Sequence, residues 1–563
     1  MLQSQNKDLT PGGGKWEAID FSLCSPIPPH TPHAVSVSLP KWIDNVDYEE
    51  GNPRVTEKMK SGYPRFCVHA SVKKLFESIV TKTGLQGYAC FGFPSRRVAN
   101  ECIDFIRRQS PSAEPRLAEY NIKPKNEAIP PSTLVAVLVP QELYPLAKAF
   151  WQHTGEIITS RYAEYHLASD GLYTKPPRVS TRYSKNVAVE TTRDAEPDSY
   201  LEDRYGRNLG IEWAGKAKLA LRRRVAASLQ DAAGLADISN VYLYPTGMSA
   251  IYNAHRLALG ILGNFKSVCF GFPYTDTLKI LQKFGPGCHF LGSGEDEDLE
   301  RLERILEQEP ILALFCEFPS NPLLKSPALG RIRQLADKYG FLVVVDETIG
   351  GLINLNVLEV ADIAVSSLTK IFSGDSNVMG GSLVISPKSS KLTILKQWLK
   401  ANYEDLMWCE DAIFLERNSR SFEERVRRIN GDAEALCDFL RSHPLVKQVH
   451  YPKFTTLGNF EQYQRPNTGY GGLFSLDFHQ LDHAITFYDN LPCAKGPSLG
   501  TNFTLACPYT LLAHYSELDW AANYGVSSSL VRVSVGLEGE NWLIKAFSHA
   551  LSCIINEIPD ASL

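Results

Sequence analysis

No run of apolar residues in this chain approaches the roughly 20 needed to cross a bilayer. The longest, such as 134–139, are strand-sized, so no membrane partner is expected. An excess of one charge is missing too. The 58 basic and 63 acidic side chains leave a net charge of −5, which gives no electrostatic footprint for nucleic acid. The twelve cysteines, from Cys24 to Cys553, include no C-x-x-C pair; the closest, Cys90 and Cys102, are 12 apart. That spacing suits neither a zinc site nor a disulfide framework, and buried reduced thiols are expected. Residues 1–14 lack the apolar core of a signal peptide. The first arginine is Arg54, late for an Arg-rich transit peptide, so a cytoplasmic protein is expected. What remains is ordinary for a globular chain: 44% hydrophobic and 21% charged over 563 residues. That length allows about three or four domains, or one large enzyme with an appendage.

Residues 1–50 read as an irregular arm, because Pro26, Pro28, Pro29 and Pro32 follow a triple glycine at 12–14. Residues 51–160 alternate strand 88–93, helix 95–108, strand 134–139 and helix 142–153. This predicts an extra N-terminal α/β extension. Residues 161–390 open with a polar stretch, 174–207, and continue as a longer series. Strands at 241–244, 267–271, 311–317, 341–346 and 363–367 alternate with helices at 248–262, 278–284 and 329–339. The strand 341–346 is apolar up to its final aspartate, as when both faces are buried. The series predicts an α/β fold, a parallel sheet covered by helices with its site at the C-terminal ends of the strands. After Gly381 come long helical segments, 389–403 and 422–440, and short strands such as 471–476 and 530–535. Residues 391–563 therefore read as a smaller C-terminal α+β domain.

Three features carry candidate chemistry. Lys370 directly follows a buried strand, where an amine can form a Schiff base; a solvated lysine is the plainer reading. Asp346 ends a buried strand, where a carboxylate costs several kcal/mol unless paired. The protonated ring nitrogen of pyridoxal 5'-phosphate (PLP) is a suitable partner, and a helix cap or exposed turn the alternative. Gly247 and Met248 lie between a strand and a helix, where free N–H groups and the positive helix end suit a phosphate. An ordinary turn would look the same. Together, in that order, the three match what a PLP site needs. The motif Ser367-x-x-Lys370 also fits the S-x-x-K of penicillin-recognising hydrolases. However, the candidate K-T-G, Lys82-Thr83-Gly84, precedes it instead of following, and Ser367 ends a strand where that serine begins a helix.

Several further motifs resemble the Cys/Met-metabolism family of PLP enzymes. Ser367-Leu368-Thr369-Lys370 resembles S-x-T-K, Tyr205-Gly206-Arg207 resembles Y-x-R, and Thr246-Gly247-Met248 resembles S-G-M. Tyr274-Thr275-Asp276-Thr277 is similar to Y-G-G-T without its glycines, and Glu317-Phe318-Pro319-Ser320-Asn321-Pro322 to E-x-P-S-N-P. Ser498-Leu499-Gly500 is similar to S-L-G, and the run from Arg532 to Glu538 to R-x-S-x-G-x-E. The usual G-H-S-D is Gly374-Asp375-Ser376-Asn377 here. The resemblance runs from about Arg178 to the C-terminus and is greatest to fungal cystathionine γ-synthases, with which 34–65 and 158–167 are also similar.

This resemblance implies an aspartate-aminotransferase-like, fold-type-I large domain with a parallel-rich seven-stranded sheet. It implies PLP on Lys370, with Asp346 at the ring nitrogen and Tyr274 stacked on the ring and sharing proton transfer. Ser367 and Thr369 would bind the phosphate, with Gly247, Met248 and the Tyr205 and Arg207 of a neighbouring subunit. Asn321 would approach the ring oxygen, and Arg532, with Ser498 nearby, would bind the substrate carboxylate. The implied assembly is a homo-oligomer, dimer or tetramer, with shared sites and small amino-acid substrates. The implied reaction is γ-replacement on an O-acyl-L-homoserine through a vinylglycine-type intermediate, with cysteine giving cystathionine. The alternative is C–C bond formation with an enolised β-keto nucleophile, giving a keto amino acid that cyclises to an imine. Sulfhydrylation, lyase chemistry and a non-catalytic PLP-fold module are further alternatives.

Overall fold

The computed structural model describes residues 22–63, 67–122, 132–169, 213–229 and 237–557. Its centre is a seven-stranded sheet. The order is Val241–Tyr244, Gly381–Ile385, Ile363–Ser366, Leu342–Asp346, Ala313–Glu317, Ser267–Phe270 and Cys288–Leu291. Only Gly381–Ile385 runs against its neighbours; the other pairs are parallel. Side chains alternate across such strands. Leu342 and Val344 thus enter one apolar cluster and Val343 and Val345 another, so both faces are covered. Helices Gly247–Leu262 and Thr275–Lys283 pack into the first cluster, Asp296–Gln308 and Leu329–Tyr339 into the second. Gly340 ends the last of these at φ 84, a left-handed conformation that glycine adopts without strain.

A five-stranded sheet follows, ordered Val446–His450, Leu473–Phe478, Val531–Ser534, Leu505–Pro508 and Ala494–Lys495. Helices Phe422–Arg441, Leu481–Asn490 and Glu540–Glu557 pack on it. Ahead of the central sheet, Tyr88–Phe93, Ser132–Pro140 and Arg116–Ile122 form an antiparallel sheet with Ser132–Pro140 in the middle. This sheet is not an independent lobe. Phe105 stacks on Phe284 at 4.8 Å and Phe150 meets it edge-on at 5.9 Å, so one core joins the extension to the central sheet.

The fold departs from the sequence reading at several elements. Residues 42–49, expected to be irregular, form the helix Trp42–Glu49; the Lys41 N–H donates to Asp44 at its start and Trp42 N–H to Asp489 at 2.7 Å. Pro26–Ile27 and Ser36–Val37 form a short antiparallel pair in the same segment. The strand Arg116–Ile122 was not expected because it lies at a sheet edge, where Arg116 and Glu119 face water and break the apolar signal. Among the described residues no helix is long and apolar enough to cross a membrane. No cluster there of three or more His, Cys, Asp or Glu could hold a metal.

Candidate active site

Two neighbouring strands of the central sheet end in acids. Asp346 and Glu317 are register partners across Leu342–Asp346 and Ala313–Glu317. Burial raises the Asp346 pKa, although the Thr348 N–H and hydroxyl donate to it at 2.9 and 2.6 Å. Burial, with Asp346 adding to it, raises Glu317 to about 8. The Glu317 carboxyl accepts from the backbone N–H groups of Tyr274 and Asn321. It thereby fixes Tyr274, the residue that caps the start of helix Thr275–Lys283. No lysine or arginine forms an ion pair with Asp346 among the described residues.

Lys370 leaves the loop after Ile363–Ser366 and enters the same pocket, where its Nζ donates to Ser498 Oγ at 3.1 Å. Burial, then the charge of Arg532, brings its pKa down to about 7, against a smaller opposing effect of Cys507. The loop behind it is closely packed: a Cβ on Gly500 would lie within 3.0 Å of Lys370 Cβ, so the S-L-G glycine leaves room for the lysine backbone. Arg425 reaches the carbonyls of Phe372 and Asn418 at 2.9 and 3.1 Å and holds the following turn. In that turn Asp375, where the family has histidine, accepts from Asn502 at 2.6 Å.

Arg532 is buried at 3% exposure. Its guanidinium donates to Asn321 Oδ1 at 3.1 Å and to the carbonyls of Pro497 and Ser498 at 3.0 and 2.9 Å, and lies over the Tyr509 ring. These neutral acceptors leave its charge uncompensated, as suits a group that receives a carboxylate. Across the pocket, helix Gly247–Leu262 begins with the Thr246 side chain accepting from Ser249 N–H at 3.0 Å. A Cβ on Gly247 would come within 2.6 Å of Ser367 Cβ, so only glycine allows this approach. Among the described residues, the buried Ser367 Oγ has no hydrogen-bond partner. Thr348 joins the two sides, since its hydroxyl accepts from Ser367 N–H at 2.8 Å while donating to Asp346.

Residues 224–552 match the family profile of the Cys/Met metabolism PLP-dependent enzymes. The chain belongs to that family. Residues 71–159 match a second profile, the N-terminal domain of fungal trans-sulfuration enzymes. The chain is 44% identical to a cystathionine γ-synthase of Neurospora crassa, over 94% of this chain and 98% of that protein. It is also 44% identical to a cystathionine γ-synthase-like enzyme of Amanita muscaria, over 93% and 95%. A cystathionine γ-synthase structure from Xanthomonas oryzae aligns with TM-score 0.52 and 24% identity, over 61% of this chain and 88% of that one. The fold is that of fold-type-I PLP enzymes, and this family member is a PLP-dependent enzyme of the γ-synthase type.

The residues present fit PLP. The unpaired Ser367 hydroxyl, the glycine-lined helix start and the buried Asp346 without a countercation match a phosphate and a protonated ring nitrogen. Of the residues singled out by sequence, Gly247, Met248, Tyr274, Asn321, Asp346, Ser367, Lys370 and Arg532 line one pocket, and Ser498 contacts Lys370. Thr369 is different: its hydroxyl pairs with the Gly380 backbone, accepting at 3.1 Å and donating at 3.3 Å, and is not on the pocket wall. Tyr205 and Arg207 lie outside the described residues. Glu317 and Tyr63 were missed as site residues. Glu317 carries the same signal as Asp346, an acid ending an apolar strand, whereas nothing local marks Tyr63.

Proposed function

We propose that this enzyme catalyses γ-replacement on an O-acyl-L-homoserine, with cysteine as the nucleophile and cystathionine as the product. One arrangement carries the reading: an amine brought down to about 7 shares a pocket with a buried arginine and a buried carboxylate. When bound, PLP supplies the electron sink that lets Cα and Cβ protons leave. In this reading Gly247, Met248 and Ser367 would hold its phosphate, Asp346 would keep its ring nitrogen protonated, and Asn321 and Tyr274, on the same pocket wall, would contact the ring. Arg532 grips the substrate α-carboxylate. Lys370 takes the Cα proton and later moves protons at Cβ, a task suited to an amine that titrates near neutrality. The names of the γ-synthase relatives support this assignment.

The second reading is a carbon nucleophile, an enolised β-keto compound. It is favoured by the described pocket wall, which holds no cation besides Lys370 and Arg532 for a second amino-acid carboxylate. Incubation of the PLP-loaded enzyme with O-acetyl- or O-succinyl-L-homoserine and thiol or β-keto nucleophiles, with products weighed by mass spectrometry, separates the readings. Cystathionine is the expected product; the absence of any γ-substituted product would contradict both readings.

A further inference from the structure

The extension reaches into the active-site pocket through one side chain. Tyr63 is the only described residue before Gly247 on the pocket wall, and its ring centroid lies 4.6 Å from Lys370 Nζ. Its backbone is fixed in place, with the Tyr63 carbonyl accepting from Cys67 N–H at 3.0 Å and the Lys60 carbonyl from Ala70 N–H at 3.0 Å. Met59 and Cys67, on either side, are buried in one cluster with Cys507, Tyr509 and Leu512, which line the same pocket. The ring itself packs against the cluster that includes Met248 and Ile251, which also line the pocket.

An aromatic face attracts an ammonium and not a neutral amine. We propose that Tyr63 is a positioning residue for Lys370, its ring holding the ammonium formed each time Lys370 takes a proton from the substrate. This rests on the γ-replacement reading for the substrate step. In that step Lys370 gains one N–H bond as the substrate C–H bond breaks. The electron pair stays with the substrate, and the proton is returned later. The other charged or titratable groups lining this pocket are Arg532, Cys507, Tyr274, Asp346, Glu317 and Tyr509. Of these, Arg532 opposes the ammonium and Cys507 favours it. Tyr63 adds a contact to the ammonium that carries no charge of its own.

The test uses the full-length protein with Tyr63→Leu and Tyr63→Phe. The first readout is the pH midpoint for PLP capture by the apoprotein, which follows the neutral Lys370 amine. The second is the isotope effect with α-deuterated O-acyl-homoserine. Removing a group that favours the ammonium lowers the midpoint, so Tyr63→Leu should shift it down, increase the isotope effect and lower kcat about 3- to 30-fold. Tyr63→Phe, which keeps the ring, should match the wild type. A midpoint that stays or rises in Tyr63→Leu would overturn the proposal, as would an equal loss in Tyr63→Phe. If Tyr63→Leu does not fold, Phe at position 63 with stepwise ring fluorination keeps the shape while weakening the face. The midpoint should then fall stepwise, and a flat response overturns the role. PLP capture needs no acyl substrate, so it tests Tyr63 independently of the reaction. The γ-replacement reading fails separately, if the unaltered enzyme turns over no acyl-homoserine.

Discussion

The charge state of Lys370 is set by burial and by Arg532, and both effects favour a neutral amine near physiological pH. Below about pH 7 the amine is protonated and cannot bond to PLP, so capture by the apoprotein should rise as pH passes through about 7 and then level off. Arg532→Gln removes a cation that lowers this pKa, so the midpoint should move up in a stopped-flow pH series. The same variant loses a charge-assisted contact to the substrate carboxylate, and kcat/KM should fall about 10- to 100-fold. An unshifted midpoint with unchanged kcat/KM would remove Arg532 from the site. Lys370 and Asp346 were legible in the sequence only in combination. Asp346 ends one apolar strand and Lys370 follows the next by a short loop, so both are carried to the C-terminal end of the sheet, whereas each alone has a plainer reading. Thr369 shows the limit of that logic, because its hydroxyl is used by Gly380, a partner 11 residues on.

The start of helix Gly247–Leu262 depends on an element far away in sequence. Gly155, at φ 63, accepts from the Thr246 hydroxyl at 3.0 Å. Its neighbour Glu156, 0% exposed, accepts from Ser249 and Asn253 and pairs with Arg97 at 3.0 Å. A Cβ on Gly155 would sit 2.7 Å from Met248 Cβ. Gly155→Ala should therefore cost about 2–4 kcal/mol, the sum of left-handed strain and overpacking, and weaken PLP retention. Denaturant unfolding of the holoenzyme reads the first effect and dialysis the second; wild-type values in both would contradict this coupling. None of it was visible in sequence, where periodicity identifies elements but not their docking partners. The same holds for Asp276, which replaces a family glycine and pairs with His153 of the extension at 2.8 Å. Local patterns did locate the helices starting at Arg96 and Phe422 and the strand Tyr88–Phe93.

At the scale of the molecule, the extension is part of the enzyme's core. Its Phe105 and Phe150 share a cluster with Phe284, and the segments flanking it on either side support the loop after Lys370, through Val35 N–H to Ser376 O at 2.8 Å and Arg161 to Asn377 O at 2.8 Å. The proposed assembly adds Tyr205 and Arg207 from a neighbouring subunit. Mixing Arg207→Ala with Lys370→Ala subunits should restore up to about a quarter of wild-type activity per mixed dimer population, because one intact shared site forms in each heterodimer. No recovery after verified subunit exchange would contradict shared sites.

The central claim is that PLP is held covalently by Lys370 in the pocket of Asp346 and Arg532. Borohydride reduction of the holoenzyme, followed by peptide mass spectrometry, tests it most directly. The account predicts one phosphopyridoxyl group, on the peptide containing Lys370. Modification of a different lysine, or of none in a protein saturated with PLP, would contradict it.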